Sequence, residues 1–265
     1  MCSRIGCTPA LVPAGYATII SSYTKKPLMM IGISTFCLFD TPLQEALDRL
    51  SSITGLIEVV DEGPHYVDDA SLFESYSADF VIHAPYHGMN IACLFEPIRK
   101  ATVRVMTDCF LVAAEIGAPV VLHPGYHAWE QEREQADRQF KKSLQELRNA
   151  AHELSIPFWF ENMGDMQFFN LRTPADLDLI EGCGLALDTG HAHINHCLHG
   201  FLQAGFCHMH IHDNYGRKDT HSPVGEGDID FVPVMAALRR SHATSVLEVK
   251  SFDGVKKSIR ALEKM

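Results

Sequence analysis

Six short apolar runs in this chain each close on a side chain able to bind a metal: FVIH at 80–83, VVLH at 120–123, FWFE at 158–161, LALD at 185–188, HMHIH at 208–212 and SVLE at 245–248. Runs that are apolar at nearly every position suit parallel strands buried on both faces. Because they recur every few tens of residues, their polar last residues fall at the same end of successive strands. With LIEVV at 56–60 and IGIST closing a first strand at 28–34, eight strands are predicted, the others near 79–83, 119–123, 156–161, 184–188, 206–211 and 244–249. Helical spacing of apolar residues appears between them, at 41–53, 93–116 and 130–154, with Asp40 or Thr41 placed to cap the first helix and Gly117 and Ser155 near the ends of the other two.

Eight strands alternating with helices predict an α/β fold, a single (β/α)8 TIM barrel over residues 28–265, with a doubly wound open sheet as the alternative. All strand C-termini of such a barrel open on one face, where groups distant in sequence meet. Residues 1–27 are expected to be an N-terminal extension, disordered or loosely docked, since Pro13 and Gly15 break their short apolar patch and no signal peptide is legible.

At 265 residues and 46% hydrophobic content, one sizeable core can form. The formal charge is −11, and the basic residues cluster on helical stretches (Arg99, Lys100, Arg104; Lys141, Lys142; Arg239, Arg240), which disfavours a broad nucleic-acid surface. The eight cysteines include no Cys-x-x-Cys pair, and a chain with this core needs no disulfide staples, so a reduced, cytoplasmic protein is expected. No run is long and apolar enough to span a membrane.

Aspartate and glutamate are rarely buried without partners. Glu161, Asp188 and Glu248 all end apolar strands, and three carboxylates at one barrel mouth would raise one another's pKa unless a cation neutralised them. Mixed with the neutral imidazoles of His83, His123 and His210, they suit zinc or manganese better than magnesium or calcium. The loops after the sixth and seventh strands add His191, His212, Asp213, Asp219 and His221. Strand alternation places His208, His210 and His212 on one face, which leaves the choice between His210 and His212 open. Gly225 and Gly227 read as turn residues rather than a phosphate cradle.

In order, HAPYHGMNIA (83–92), HPG (123–125), FEN (160–162), LDTGHA (187–192), MHIHDNYG (209–216), DTHSPVGEGDIDF (219–231) and LEV (247–249) resemble the xylose isomerase-like superfamily of TIM barrels, over nearly the whole chain after residue 28. That superfamily includes endonuclease IV and sugar epimerases. Similarity to endonuclease IV implies a three-zinc site made by His83, His123, Glu161, Asp188, His191, His210, Asp219, His221 and Glu248. In it Glu161 would bridge two ions, His191, Asp219 and His221 would hold the third, and the chemistry would be phosphoester cleavage. Similarity to the epimerase branch implies one divalent ion on Glu161, Asp188, His210 and Glu248, with Glu161 and Glu248 exchanging a proton beside a sugar carbonyl as catalytic acid and base. The acidic loop VVDEGPHYVDD at 59–69 would repel phosphates, and the rim cations Arg172, Arg217, Lys218 and Lys250 are scattered. On that balance the favoured expectation is a metal-dependent isomerase or epimerase with one to three zinc or manganese ions, acting on a sugar or sugar phosphate. The alternative is a zinc phosphodiesterase that cuts at abasic sites.

Overall fold

A computed structural model describes residues 31–265. Eight parallel strands close into a barrel in chain order, with β1 hydrogen-bonded to β8. They are β1 (Gly32–Ser34), β2 (Leu56–Val60), β3 (Asp79–His83), β4 (Val120–Leu122), β5 (Phe158–Glu161), β6 (Gly184–Asp188), β7 (His208–Ile211) and β8 (Thr244–Leu247). The open-sheet alternative falls away, and the fold is a single (β/α)8 TIM barrel. The proposed extension at 1–27 and the start of the domain at residue 28 lie outside the described residues.

Among the described residues, seven α-helices cover the barrel: α1 (Leu43–Ser51), α2 (Glu96–Ile116), α3 (Arg133–Leu154), α4 (Thr189–Ile194), α5 (Leu198–Ala204), α6 (Phe231–Arg240) and α7 (Phe252–Leu262). The strict alternation fails at two places. After β2 the chain makes only 3-10 turns at Gly63–His65 and Ala70–Ser75, and after β5 one at Pro174–Ile180. Pro64 and Pro174 stand at the first turns of two of these segments, where proline fits without losing a bond, and the short stretches that follow bury too few residues to propagate an α-helix.

Helices α2 and α3 end where expected, on Gly117 at φ +78° and Ser155 at φ +57°, both left-handed. The cap of α1 does not follow expectation: its N-cap is Pro42, and the Thr41 hydroxyl donates back to the carbonyl of Leu38 at 2.8 Å. The 3-10 turn at Thr35–Leu38 brings that carbonyl within reach and so diverts the hydroxyl. Arg99, grouped above with the cations of the helical stretches, is 1% exposed and donates to Glu96, Glu146 and Ser143, tying α2 to α3. The cysteines are not all free thiols. Cys207 is in a disulfide, whereas Cys37, Cys93, Cys109, Cys183 and Cys197 are free. Among the described residues no helix is long and apolar enough to cross a membrane.

One apolar layer lies between helices and barrel, and a second, made of Leu56, Val81, Val121, Ala186 and Val246 with Trp159 against it, fills the barrel's interior. The second layer positions the site.

Candidate metal centre

Strand residues two apart point the same way. Each interior residue therefore carries another inward side chain one layer above it: Val81 lies below His83, Val121 below His123, Trp159 below Glu161, Ala186 below Asp188 and Val246 below Glu248. On β7 the same step links His208, His210 and His212. Lateral register aligns these rungs, since Asp188 pairs with His210 and His210 with Val246. The apolar floor excludes water from below, and the polar tier at the strand ends becomes the wall of a deep mouth.

All nine predicted ligand residues come together there. Among the described residues, the candidate donor atoms fall into ion-sized groups, three of them at the mouth: His83, His123 and Glu161; Glu161, Asp188, His210 and Glu248; and His191, His212, Asp219 and His221; a fourth, Glu58, His208 and His210, lies behind them. Glu161 belongs to two of them. Its Oε2 lies 3.1 Å from Nε2 of both His83 and His123, and its Oε1 lies 3.1 Å from His191 Nδ1. Asp219 Oδ2 stands 2.9 Å from His221 Nε2 and 3.1 Å from His191 Nε2. The loop after β7 brings Asp219 and His221 in because Asp213 anchors it, accepting the N–H groups of Asn214, Gly225, Gly227 and Ile229.

Tautomers decide what these contacts mean. His83 Nδ1 faces the carbonyl of Ala84 at 3.0 Å, His191 Nδ1 that of Asn162 at 2.9 Å, and His221 Nδ1 that of Glu248 at 2.9 Å. A carbonyl only accepts, so each Nδ1 carries the hydrogen and each Nε2 turns a lone pair toward carboxylate oxygen. His210 is reversed. Its Nδ1 has no hydrogen-bond partner, is fully buried, and lies 3.4 Å from Glu161 Oε1 and from Glu248 Oε2. Lone pairs facing carboxylates in a dry pocket repel unless a positive charge stands between them.

Protons are pulled in accordingly. Burial lowers the pKa of His83, but Glu161 overrides it and raises the imidazole to about 9. Carboxylates raise His191 and His210 in the same way against burial. Burial raises Asp219, yet His191 and His221 hold it well below the usual carboxylate range. Glu248 goes the other way: burial, with the charges of Glu161, Glu58 and Asp188, outweighs His210 and lifts it to about 7. The centre calls for positive charge from a cluster of nitrogen and oxygen donors, which is what divalent zinc or manganese supplies, so the residues fit such an ion.

One participant escaped the sequence reading, and one open choice is resolved. Glu58, in the middle of LIEVV, is wholly buried and lies one layer above Leu56 by the same two-residue step; that step, applied to β2, would have found it. His212 is also wholly buried, with Nε2 3.0 Å from both oxygens of Asp188, so the question between His210 and His212 has a joint answer in position: both point inward.

The acidic loop at 59–69 reads differently once folded. Asp61 is buried and accepts the N–H of Val67, Glu62 accepts the N–H groups of Tyr86 and His87, and Asp69 caps a 3-10 turn. Asp61 and Glu62 are engaged internally, which weakens their standing as a phosphate-repelling rim, whereas Asp68 and Asp69 are exposed. Arg172 is likewise part of the scaffold, donating to the carbonyls of Gly164 and Gln167 and to Asn195. Arg217, Lys218 and Lys250 are exposed. Tyr86 packs its ring against His123 at 4.8 Å and His83 at 5.3 Å, forming one side of the mouth.

A deep, floor-sealed mouth of histidines and carboxylates on a closed parallel barrel defines a class of TIM-barrel proteins, and the sequence profile of the xylose isomerase-like TIM barrel family matches residues 66–265. The chain belongs to that family. An uncharacterized protein of Methanocaldococcus jannaschii is 32% identical over 234 residues, covering 84% of this chain and 93% of its own. A probable endonuclease 4 of Mycobacterium leprae is 25% identical over 205 residues, covering 71% and 79%. The crystal structure of a D-tagatose 3-epimerase-like protein superposes with a TM-score of 0.83 at 27% identity, covering 89% of this chain and 96% of its own. The relatives thus carry the names of two kinds of enzyme, sugar epimerase and endonuclease.

Proposed function

We propose that this chain is a divalent-metal-dependent enzyme whose centre takes up to three zinc or manganese ions and which cleaves a phosphate ester. The observation that carries this reading is the placing of nine side chains in three ion-sized groups, two of which share Glu161 while the third, around His191, Asp219 and His221, also includes His212. His83 and His123 would hold a first ion with Glu161. Asp188, His210 and Glu248 would hold a second, again with Glu161, and His191, Asp219 and His221 a third. When bound, such ions supply Lewis acidity toward water and toward a phosphoryl oxygen. The protein's own part is positional: carbonyls of Ala84, Asn162 and Glu248 fix the imidazoles, the apolar floor keeps water out below, and Tyr86 bounds the entrance. Glu161 and Glu248 are the residues on which activity would depend most. Four carboxylates around the mouth also ask for more positive charge than one divalent ion provides.

A second reading, isomerase or epimerase action on a sugar or sugar phosphate, is favoured by the 27% identical epimerase-like structure and by Glu248. A carboxyl poised near 7 suits proton transfer at neutral pH. It needs only Glu161, Asp188, His210 and Glu248 around one ion. Glu161 fits it less well, because three imidazoles contact its two oxygens and leave it little freedom as an acid or base.

Metal content and product separate the two. The first reading expects two to three equivalents of zinc per chain, measured by elemental analysis without added metal, and release of phosphate or strand cleavage from sugar phosphates or abasic duplex at low salt. One exchangeable ion, no phosphoester turnover, and deuterium uptake into a sugar from heavy water would replace it with the second.

A further inference from the structure

We infer that Glu58 is a positioning residue for the ion centre: its buried carboxylate holds His210 in the single tautomer that presents Nδ1 to the ions, as the middle of a hydrogen-bonded chain that crosses the barrel from β8. The inference rests on the metal reading above and adds a residue to it. Glu58 Oε2 stands 3.0 Å from Nε2 of His210 and 3.0 Å from Nε2 of His208, and all three side chains are wholly buried. His208 Nδ1 lies 2.7 Å from the Thr244 hydroxyl, and its ring stacks on Trp159 with 12° between the planes.

One proton assignment satisfies the chain with both imidazoles neutral. The Thr244 hydroxyl donates to His208 Nδ1, His208 Nε2–H donates to Glu58, and His210 Nε2–H donates to the same Glu58 oxygen. Glu58 Oε1 and His210 Nδ1 are left without hydrogen-bond partners, and of the two imidazoles only His210 keeps a free lone pair, aimed at Glu161 and Glu248. Were Glu58 absent, nothing on the far side of the ring would favour Nε2–H, and a buried donor would go unpaired. A carboxylate behind an imidazole both fixes the ring and raises its basicity toward a metal. Three of the other ligand histidines, His83, His191 and His221, are held from behind by backbone carbonyls at Nδ1 and offer Nε2. His210 alone of these four is oriented by a charged group, and it stands where three carboxylates meet: Glu161, Glu248 and, at 3.8 Å, Asp188.

The experiment uses the full chain loaded with zinc. Long-range proton–nitrogen correlation on imidazole-labelled protein should show His210 bound through Nδ1 with Nε2–H, and His83, His191 and His221 bound through Nε2. In Glu58→Gln, whose amide cannot accept from both rings through one charged oxygen, chelator competition should show one ion weakened by about 10–100-fold, the size expected when the group behind a ligand is lost. The remaining ions and the melting of the apoprotein should change far less. His210 bound through Nε2 in the wild type, or a folded Glu58→Gln that holds every ion as tightly as wild type, overturns the inference while leaving the metal centre in place. If Glu58→Gln does not fold, the wild-type tautomer decides alone. A wild-type chain that binds no ion removes the metal reading, and the role of Glu58 with it.

Discussion

At the residue scale, the centre is defined by which atom of each side chain is already engaged. His83, His191 and His221 each keep one nitrogen on a backbone carbonyl, so their second nitrogen is committed to the mouth before any ion arrives. Glu161 is the common member, shared by two ligand groups. Glu161→Gln should therefore lower activity by more than about 100-fold, exceeding the roughly 10–100-fold effect of losing a partner behind a ligand, and should release at least one ion. Circular dichroism should remain that of wild type, because the apolar floor and the helix layer lie below the substitution. Full activity with full metal content in this variant would place the chemistry elsewhere.

At the scale of the element, loops after the strands are organised by buried acids. Asp61, just past β2, is 2% exposed, and burial raises its carboxyl from an ordinary 3.8 to about 6 against the N–H of Val67. An acid with a folded-state pKa above its unfolded one holds its proton more tightly when folded. Its cost is absent at low pH, appears as pH rises from about 4, and is complete above about 6. Asp61→Asn removes the charge and keeps an acceptor for Val67. The variant's unfolding free energy relative to wild type, measured in urea at pH 4.5 and 7.5, should rise by about 2 kcal/mol toward the higher pH. A difference that stays flat across that interval would mean the carboxylate is solvated or neutralised in the folded loop.

For the whole molecule, closure of the barrel and charge at its mouth are linked. Strand order from β1 to β8 brings residues as far apart in sequence as His83 and Glu248 to one face, and buried carboxylates there oppose folding unless neutralised. An ion that binds only the folded state stabilises it by mass action, about 4 kcal/mol at a free concentration 1,000 times its dissociation constant. Chelation should lower the melting temperature by several degrees, and restoring zinc or manganese should recover it. A melting curve indifferent to chelator, in protein shown to have been loaded, would contradict a centre built around ions.

The strand ends were legible because two local rules coincide: runs apolar at every position mark strands buried on both faces, and a polar residue closing such a run has nowhere to go but the mouth. Hence the barrel, and the inward placement of His83, Glu161 and Asp188, follow from the sequence itself. Helix ends at Gly117 and Ser155 were legible for the same local reason, a left-handed residue that stops the coil. Other features depended on groups far apart in the chain. The Thr41 hydroxyl turned to Leu38 instead of capping α1, and Asp61 and Glu62 found backbone N–H groups elsewhere in the chain. Glu58 came to lie between His208 and His210, some 150 residues away in sequence, only because closure of the barrel through β8 and β1 brings the inward side chains of β2 and β7 together. Periodicity shows which way a side chain points; what it meets there is decided by the strand opposite, which only the closed barrel supplies.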